Sequence, residues 1–234
     1  MKRKKNLLID KVVSYYAERA VVYDETAGYT DEAAEQLRAP IKQRYQKLFA
    51  GHDVFEIACG SGYWTKVVGE VAKSVLAIDI NQAMLSQAQD RCRHLPHVTF
   101  QRADAFRLQE IPNQFTAAFG IWWWSHIPKT EIKTFLAALH SILVPGALVL
   151  FSDHLPYEGS RRKVDSDGNV IEHRSLPDGR TFEVVKNCPT ETELMSAFRT
   201  WADQIEYVAR PAEKSWTVIY RTRARESKDT GVTP

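Results

Sequence analysis

Beyond residue 53, the apolar positions of this 234-residue chain switch repeatedly between two periods. Short apolar or alternating runs predict strands over 54–58, 74–80 ("SVLAIDI"), 98–104, 116–122 and 147–153 ("ALVLFSD"). Between them, apolar residues recur every three or four positions. That spacing predicts helices over 63–72, 82–94 and 130–143, the last ended by "VPG". Strands alternating with helices predict a parallel sheet covered on both faces, wound by right-handed crossovers into a doubly wound α/β layer. Ligands of such sheets lie beyond the carboxyl ends of the strands, where the strand order reverses.

The flanks read differently. Helical spacing covers 7–22 and again 31–49, where Pro40 is expected to break or restart the helix. The rhythm fails over 155–188. Two Asp-Gly turns, in "DSDGN" and "LPDGR", separate "NVIEHR" from "RTFEVVK" and predict a small β-flap inserted after the fifth strand. A helix over 191–201 and strands over 205–209 and 216–221 follow, then a polar tail. The expected organisation is one domain, 1–234: an N-terminal helical lid (1–40), a core (41–154), the flap (155–188), a last helix with closing strands (189–225) and a tail (226–234).

Composition narrows the function classes. A net charge of +2 gives no field for nucleic acid, and the basic run at the start reads as a solvated terminus. Three widely spaced cysteines suit neither a disulfide framework nor a metal site, so a reducing cytoplasm and no metal are expected. No apolar stretch approaches the ~18 residues of a membrane span, and the start lacks the apolar core of a signal peptide.

The candidate chemistry begins at "VFEIACGSGYWT", residues 54–65. A dinucleotide fingerprint G-x-G-x-x-G would place Ala58, Gly60 and Tyr63 at its glycines, and a tyrosine at the third spoils the close helix packing. The triphosphate loop fails as well, because the first lysine after Gly62 is Lys66. The stretch does fit acid-x-small-x-Gly-x-Gly, with Glu56, Ala58, Gly60 and Gly62. It is followed by Asp79 closing the second strand in "LAIDIN", Asp104 closing the third in "RADAF", and "LVPGALVLFSD" before the fifth. Together these resemble the class I methyltransferases that use S-adenosylmethionine (SAM), small-molecule type. The resemblance covers roughly residues 44–153.

It implies a seven-stranded Rossmann-like sheet with a closing antiparallel hairpin. It also implies SAM as cofactor and S-adenosylhomocysteine (SAH) as product. Glu56 would meet the amino group of SAM, with Ala58, Gly60 and Gly62 forming the loop around the amino-acid end. Asp79 would take both ribose hydroxyls. Asp104, Ala105 and Phe106 would stand at the adenine, with Ile80, Met84 and Ile121 completing the wall. The segment "SYYAERAVVYDE" resembles a lid helix, whose Tyr15, Tyr16, Arg19 and Tyr23 would close over SAM. Cys59 reads as a small buried residue.

The acceptor end has a weaker signature, because the donor is already activated. The Asn/Asp-Pro-Pro-aromatic box and the Pro-Cys pair of nucleic-acid and protein enzymes are both missing from "GIWWWSHIP". Trp122, Trp123 and Trp124 can wall an apolar, aromatic or cationic substrate, at least one of them being core. His126 is the best-placed base, with Asp153 and His154 on the same rim. In the flap, Arg161, Arg162, Lys163, His173, Arg174 and Arg180 read as an anion-recognising cap, a solvated hairpin surface or a dimer contact. The expected activity is methyl transfer to O or N, less readily C, of a small molecule by a monomer or homodimer. An RNA or protein methyltransferase and a non-catalytic SAM-binding regulator are the competing readings.

Overall fold

The computed structural model describes residues 2–112, 114–157, 162–202 and 204–223. The central sheet is built from β1 (Asp53–Ile57), β2 (Ser74–Asp79), β3 (Val98–Arg102), β4 (Phe115–Ile121), β5 (Leu143–His154), β9 (Ile205–Arg210) and β10 (Ser215–Arg221). Its order is β3-β2-β1-β4-β5-β10-β9, with β10 antiparallel to both its neighbours and the other pairs parallel. This is the Rossmann-like sheet with its closing hairpin. Strand order reverses between β1 and β4, which opens the crevice at their carboxyl ends.

Both faces are covered, as the apolar runs require. On one face Val54, Phe119, Leu148 and Leu150 pack with Tyr45 and Phe49 of α3 (Glu32–Phe49), Val67 and Val68 of α4 (Tyr63–Gly69) and Leu85 and Ala88 of α5 (Gln82–Cys92). On the other, Phe55, Ile57, Val149, Phe151 and Trp216 pack with Phe135 and Leu139 of α6 (Ile132–Ser141) and with Leu194 and Phe198 of α7 (Glu191–Phe198). Asn81 caps α5 and a Thr190–Glu193 capping box opens α7.

Pro40 does not interrupt α3. The cap at Asp31, which accepts from the amides of Ala33 and Ala34, and the burial of Tyr45 and Phe49 hold the helix through it. The turn expected at "VPG" is taken up by β5, which starts at Leu143 and carries an irregular pairing with β4 between Phe115 and Ala117.

The segment after β5 forms a second, antiparallel sheet of β6 (Arg162–Val164), β7 (Val170–Ser175) and β8 (Thr181–Val185). Helix α1 (Lys2–Arg19) includes the basic start, lysine and arginine being good helix formers; it lies against β8 and is followed by the short helix α2 (Tyr23–Thr26). Tyr15 is buried there with Leu176 and Val184 and meets Phe182 edge-on. Lid and flap are thus packed on one another above the crevice.

Candidate active site

The loop after β1 turns on three left-handed residues, Ala58 (φ 53°), Gly60 (φ 55°) and Gly62 (φ 78°). An alanine in that region costs roughly 1 kcal/mol, so Ala58 adopts a conformation a glycine would hold without strain. The two glycines serve different ends. A Cβ on Gly62 would lie 2.7 Å from Ala88 Cα, so this residue lets α4 approach α5. A Cβ on Gly60 would meet only the Tyr23 ring, at 3.7 Å, so this glycine leaves room at the surface of the crevice. Cys59 is buried and burial pushes its thiol up, which makes it inert.

Gly60 lies in the wall of a first chamber with Ala58, Asp79, Ile80, Asn81, Met84, Asp104, Ala105, Phe106 and Trp123. Asp79 accepts from the amides of Gly60 (3.0 Å) and Asn81 (2.8 Å), which ties the first loop to the second. Burial raises its carboxyl, and those amides oppose the rise. Asp104 accepts from the amide of Phe106 at 2.9 Å, setting the turn that presents the Phe106 ring. Asn81 Oδ1 accepts from the Ala83 amide, and the buried Nδ2 of Asn81 has no partner among the described residues.

The lid closes this chamber. Asp24 binds Ser61 Oγ at 2.5 Å and the Arg91 guanidinium, and Gln87 donates to Ala20 O. Tyr16 donates to His126. The direction follows from the other ring nitrogen: Nδ1 lies 2.6 Å from Val185 O, an acceptor only, so Nδ1 carries the proton and Nε2 accepts from Tyr16 Oη at 2.8 Å.

A second chamber, about 560 Å³, adjoins the first. Tyr16, Tyr23, Ile121 and Trp122 belong to both. Trp122 has φ 61°, a strained value for a bulky residue, and stacks on His154 at 4.5 Å. Arg19, Tyr157, Arg174, Lys186 and Arg210 also line this second chamber. Lys186 is 2% exposed; its ammonium donates to Ser125 Oγ (2.7 Å) and Asp153 Oδ1 (3.2 Å). Burial alone would raise the Asp153 carboxyl, but Lys186 overrides it and holds it down at about 2.

The same desolvation keeps histidines neutral. His126 is pushed well below 6.5 by burial, then by Lys186 and Arg174; His154 falls to about 4 by burial and Lys186; His140, on α6, falls to about 4 by burial. The folded chain therefore binds fewer protons than the unfolded chain below 6.5. Stability is expected to fall as pH drops from 6.5 toward 4, by about 1.4 kcal/mol per pH unit for each fully engaged histidine. Urea unfolding at pH 7 and pH 5 reads the slope, and equal stabilities would reassign these three groups.

A methyltransferase-domain family model matches residues 54–146, the stretch that builds the first chamber. Over most of its length the chain is similar to DhpI, solved as a complex with SAH: TM-score 0.72 and 29% identity, covering 93% of this chain and 98% of that one. Residues 54–146 are thus a methyltransferase domain, and the sheet has the order of the class I SAM-dependent methyltransferases. Phosphoethanolamine N-methyltransferase 1 of Caenorhabditis elegans is 29% identical over 89 residues, 38% of this chain and 19% of that protein. The ubiquinone biosynthesis O-methyltransferase of Methylococcus capsulatus is 26% identical over 125 residues, 53% of this chain and 52% of that protein. The chain thus spans about half the length, or less, of these two curated relatives.

The first chamber suits a cofactor of the kind DhpI holds, SAM or SAH. Asp79 offers a carboxylate to a diol, Phe106 and Trp123 are ring surfaces for a base, and the orphaned Asn81 Nδ2 awaits an acceptor. Several residues expected at the site stand elsewhere. Tyr15 packs between lid and flap. Glu56 and Gly62 are not in either chamber's wall. Glu56 is buried beneath the loop with its Oε2 unpartnered among the described residues, and burial pushes its carboxyl up to about 8. Arg19 lines the second chamber, not the first. Trp124 is core, packed on Phe151, Phe198 and Phe135. Asp153 is 0% exposed and paired with Lys186, so it positions that residue and does not face the acceptor space. Lys186, Asn81 and Tyr157 were not among the expected residues. A lone lysine ending the apolar run "FEVV" was the available signal for the first.

Proposed function

We propose that this methyltransferase moves the methyl group of SAM to an oxygen or nitrogen of a small-molecule acceptor held in the second chamber. The observation that carries this reading is the shared wall: two adjoining chambers meet at Tyr16, Tyr23, Ile121 and Trp122. The volume of the second is that of a small-molecule site, and lid and flap enclose it. Bound SAM would supply an activated methyl, taken by an acceptor lone pair while the electrons of the carbon–sulfur bond pass to sulfur and leave SAH.

The chain's own residues orient and desolvate. Asp79, Asn81 and Asp104 would hold the cofactor's ribose and adenine, and Trp122, braced by His154, would fix the acceptor against the junction. Tyr16 keeps its hydroxyl at that junction because His126 Nε2 accepts its hydrogen bond. An acceptor O–H or N–H can then donate to Tyr16 Oη, with His126 as the group behind it. Tyr16→Phe is expected to lower turnover roughly tenfold, as for one lost hydrogen bond of about 1–1.5 kcal/mol. The readout is transfer of labelled methyl from SAM across a panel of small acceptors, with SAH affinity by calorimetry alongside. Absent SAH binding would remove the methyltransferase reading, and unchanged turnover in Tyr16→Phe would remove the Tyr16–His126 pair from the chemistry.

A further inference from the structure

The flap supplies the second chamber with two cations that keep unspent N–H donors beside their ion pairs. Arg174, on β7, lines the chamber with its side chain 18% exposed. Among the described residues its side chain makes one hydrogen bond, from Nε to Glu172 Oε1 at 3.3 Å, and its guanidinium lies 5.8 Å from the Tyr15 ring, so both Nη groups keep their donors. Glu172 is itself shared: it accepts from Tyr157 Oη at 2.9 Å and lies 3.7 Å from the Arg162 guanidinium. One carboxylate thus faces two guanidinium groups. Lys186, following β8, spends two of its three N–H donors on Ser125 and Asp153 and also lines the chamber. Arg19 and Arg210 line it as well, and Glu213 is its one acidic wall residue among the described residues. The other flap cations are turned away. Lys163 binds Glu183, and Arg180 binds Glu18 and Asp178. Arg161 lies outside the described residues.

We propose that the acceptor bears an oxyanion group, carboxylate or phosphoryl, gripped by Arg174 and Lys186 of the flap at the Trp122 junction. The inference rests on the function proposed above and names its substrate class. A neutral acceptor could give the Nη groups of Arg174 only uncharged oxygens, which bind a guanidinium more weakly. An oxyanion gives them two acceptor atoms in the fork geometry that arginine matches, and Lys186 adds a point charge. Tyr157 and His154 border the same space, His154 in its neutral form.

The test titrates inorganic phosphate and, separately, acetate into the full chain saturated with SAH and into the free chain, by calorimetry. At least one of the two is expected to bind the SAH complex. Arg174→Gln is expected to weaken that binding roughly tenfold or more, the loss of a charged hydrogen bond, with SAH affinity unchanged. Arg174→Lys, which keeps the charge without the fork, is expected to lose less, and Lys163→Gln, an equal charge change outside the chamber, nothing. Phosphate alone binding assigns a phosphoryl acceptor, and acetate alone a carboxylate; if both bind, the tighter assigns the class. Binding of neither probe to either form overturns the proposal, whether or not the Arg174 variants fold. So does an Arg174→Gln variant that weakens SAH and not the probe, because the cation would then serve the cofactor's own carboxylate. Failure of SAH to bind at all would sink the methyltransferase reading instead, and the free-chain titration still decides the chamber's chemistry.

Discussion

Lys186→Met is expected to destabilise the fold by about 3–5 kcal/mol, the cost of leaving one member of a buried ion pair uncompensated. The stranded group is Asp153, 0% exposed, which keeps only the amides of Ser125 and His154 as donors. Urea unfolding measures the loss. The sign of the pH dependence separates this cause from simple loss of packing. In the wild type, the Asp153 carboxyl sits at about 2 against 3.8 when free, so its contribution is present above 3.8 and is lost as pH falls toward 2. Without Lys186, burial would hold the same carboxyl higher than in the wild type. The variant's deficit relative to wild type should therefore shrink as pH falls, because protonation removes the stranded charge. Adding Asp153→Asn should recover part of the loss at neutral pH, since the neutral side chain strands no charge and its oxygen still accepts from one of the two backbone donors. A deficit independent of pH, or no recovery in the double variant, would assign the effect to packing.

That pair also marks where the sequence stopped being informative. The sheet was legible because each strand carries a continuous apolar run and each crossover helix a three-to-four spacing, both local patterns. The loop after β1 was legible for the same reason: Asp79 and Gly60 each stand at a strand end, and the loop conformation follows from small residues next to it. Lys186 pairs with Asp153 and Ser125 across 33 and 61 residues, and no local pattern encodes such a contact. The three tryptophans show the limit within one segment. The left-handed backbone at Trp122 sends three consecutive rings to three environments: the chamber junction, the Phe106 side of the cofactor chamber, and the core. A strict alternation of faces, as in an extended chain, would have placed Trp122 and Trp124 together. Likewise the flap's cations look equivalent in sequence. Only their partners, Glu183, Glu18 and Asp178 for the outer ones, separate them from Arg174.

Asp79→Ala is expected to raise the Kd for SAH by roughly tenfold to a hundredfold, from about 1.5–3 kcal/mol for hydrogen bonds to a charged acceptor. Two losses combine. The carboxylate would no longer take the ribose hydroxyls, and the amides of Gly60 and Asn81 would lose the acceptor that draws the two loops together. Asp79→Asn distinguishes them. Its side-chain oxygen can still accept from one amide, but its NH₂ group cannot accept from either a hydroxyl or the second amide. The asparagine variant should therefore lie between wild type and Asp79→Ala in SAH affinity. Unfolding in urea without ligand separates binding from folding. Burial already raises this carboxyl, so removing it leaves no buried charge stranded, and stability should change far less than in Lys186→Met. Calorimetry with SAH gives the decisive number: an unchanged Kd in a folded Asp79→Ala variant would take Asp79 out of cofactor binding and leave it as the tie between the β1 and β2 loops.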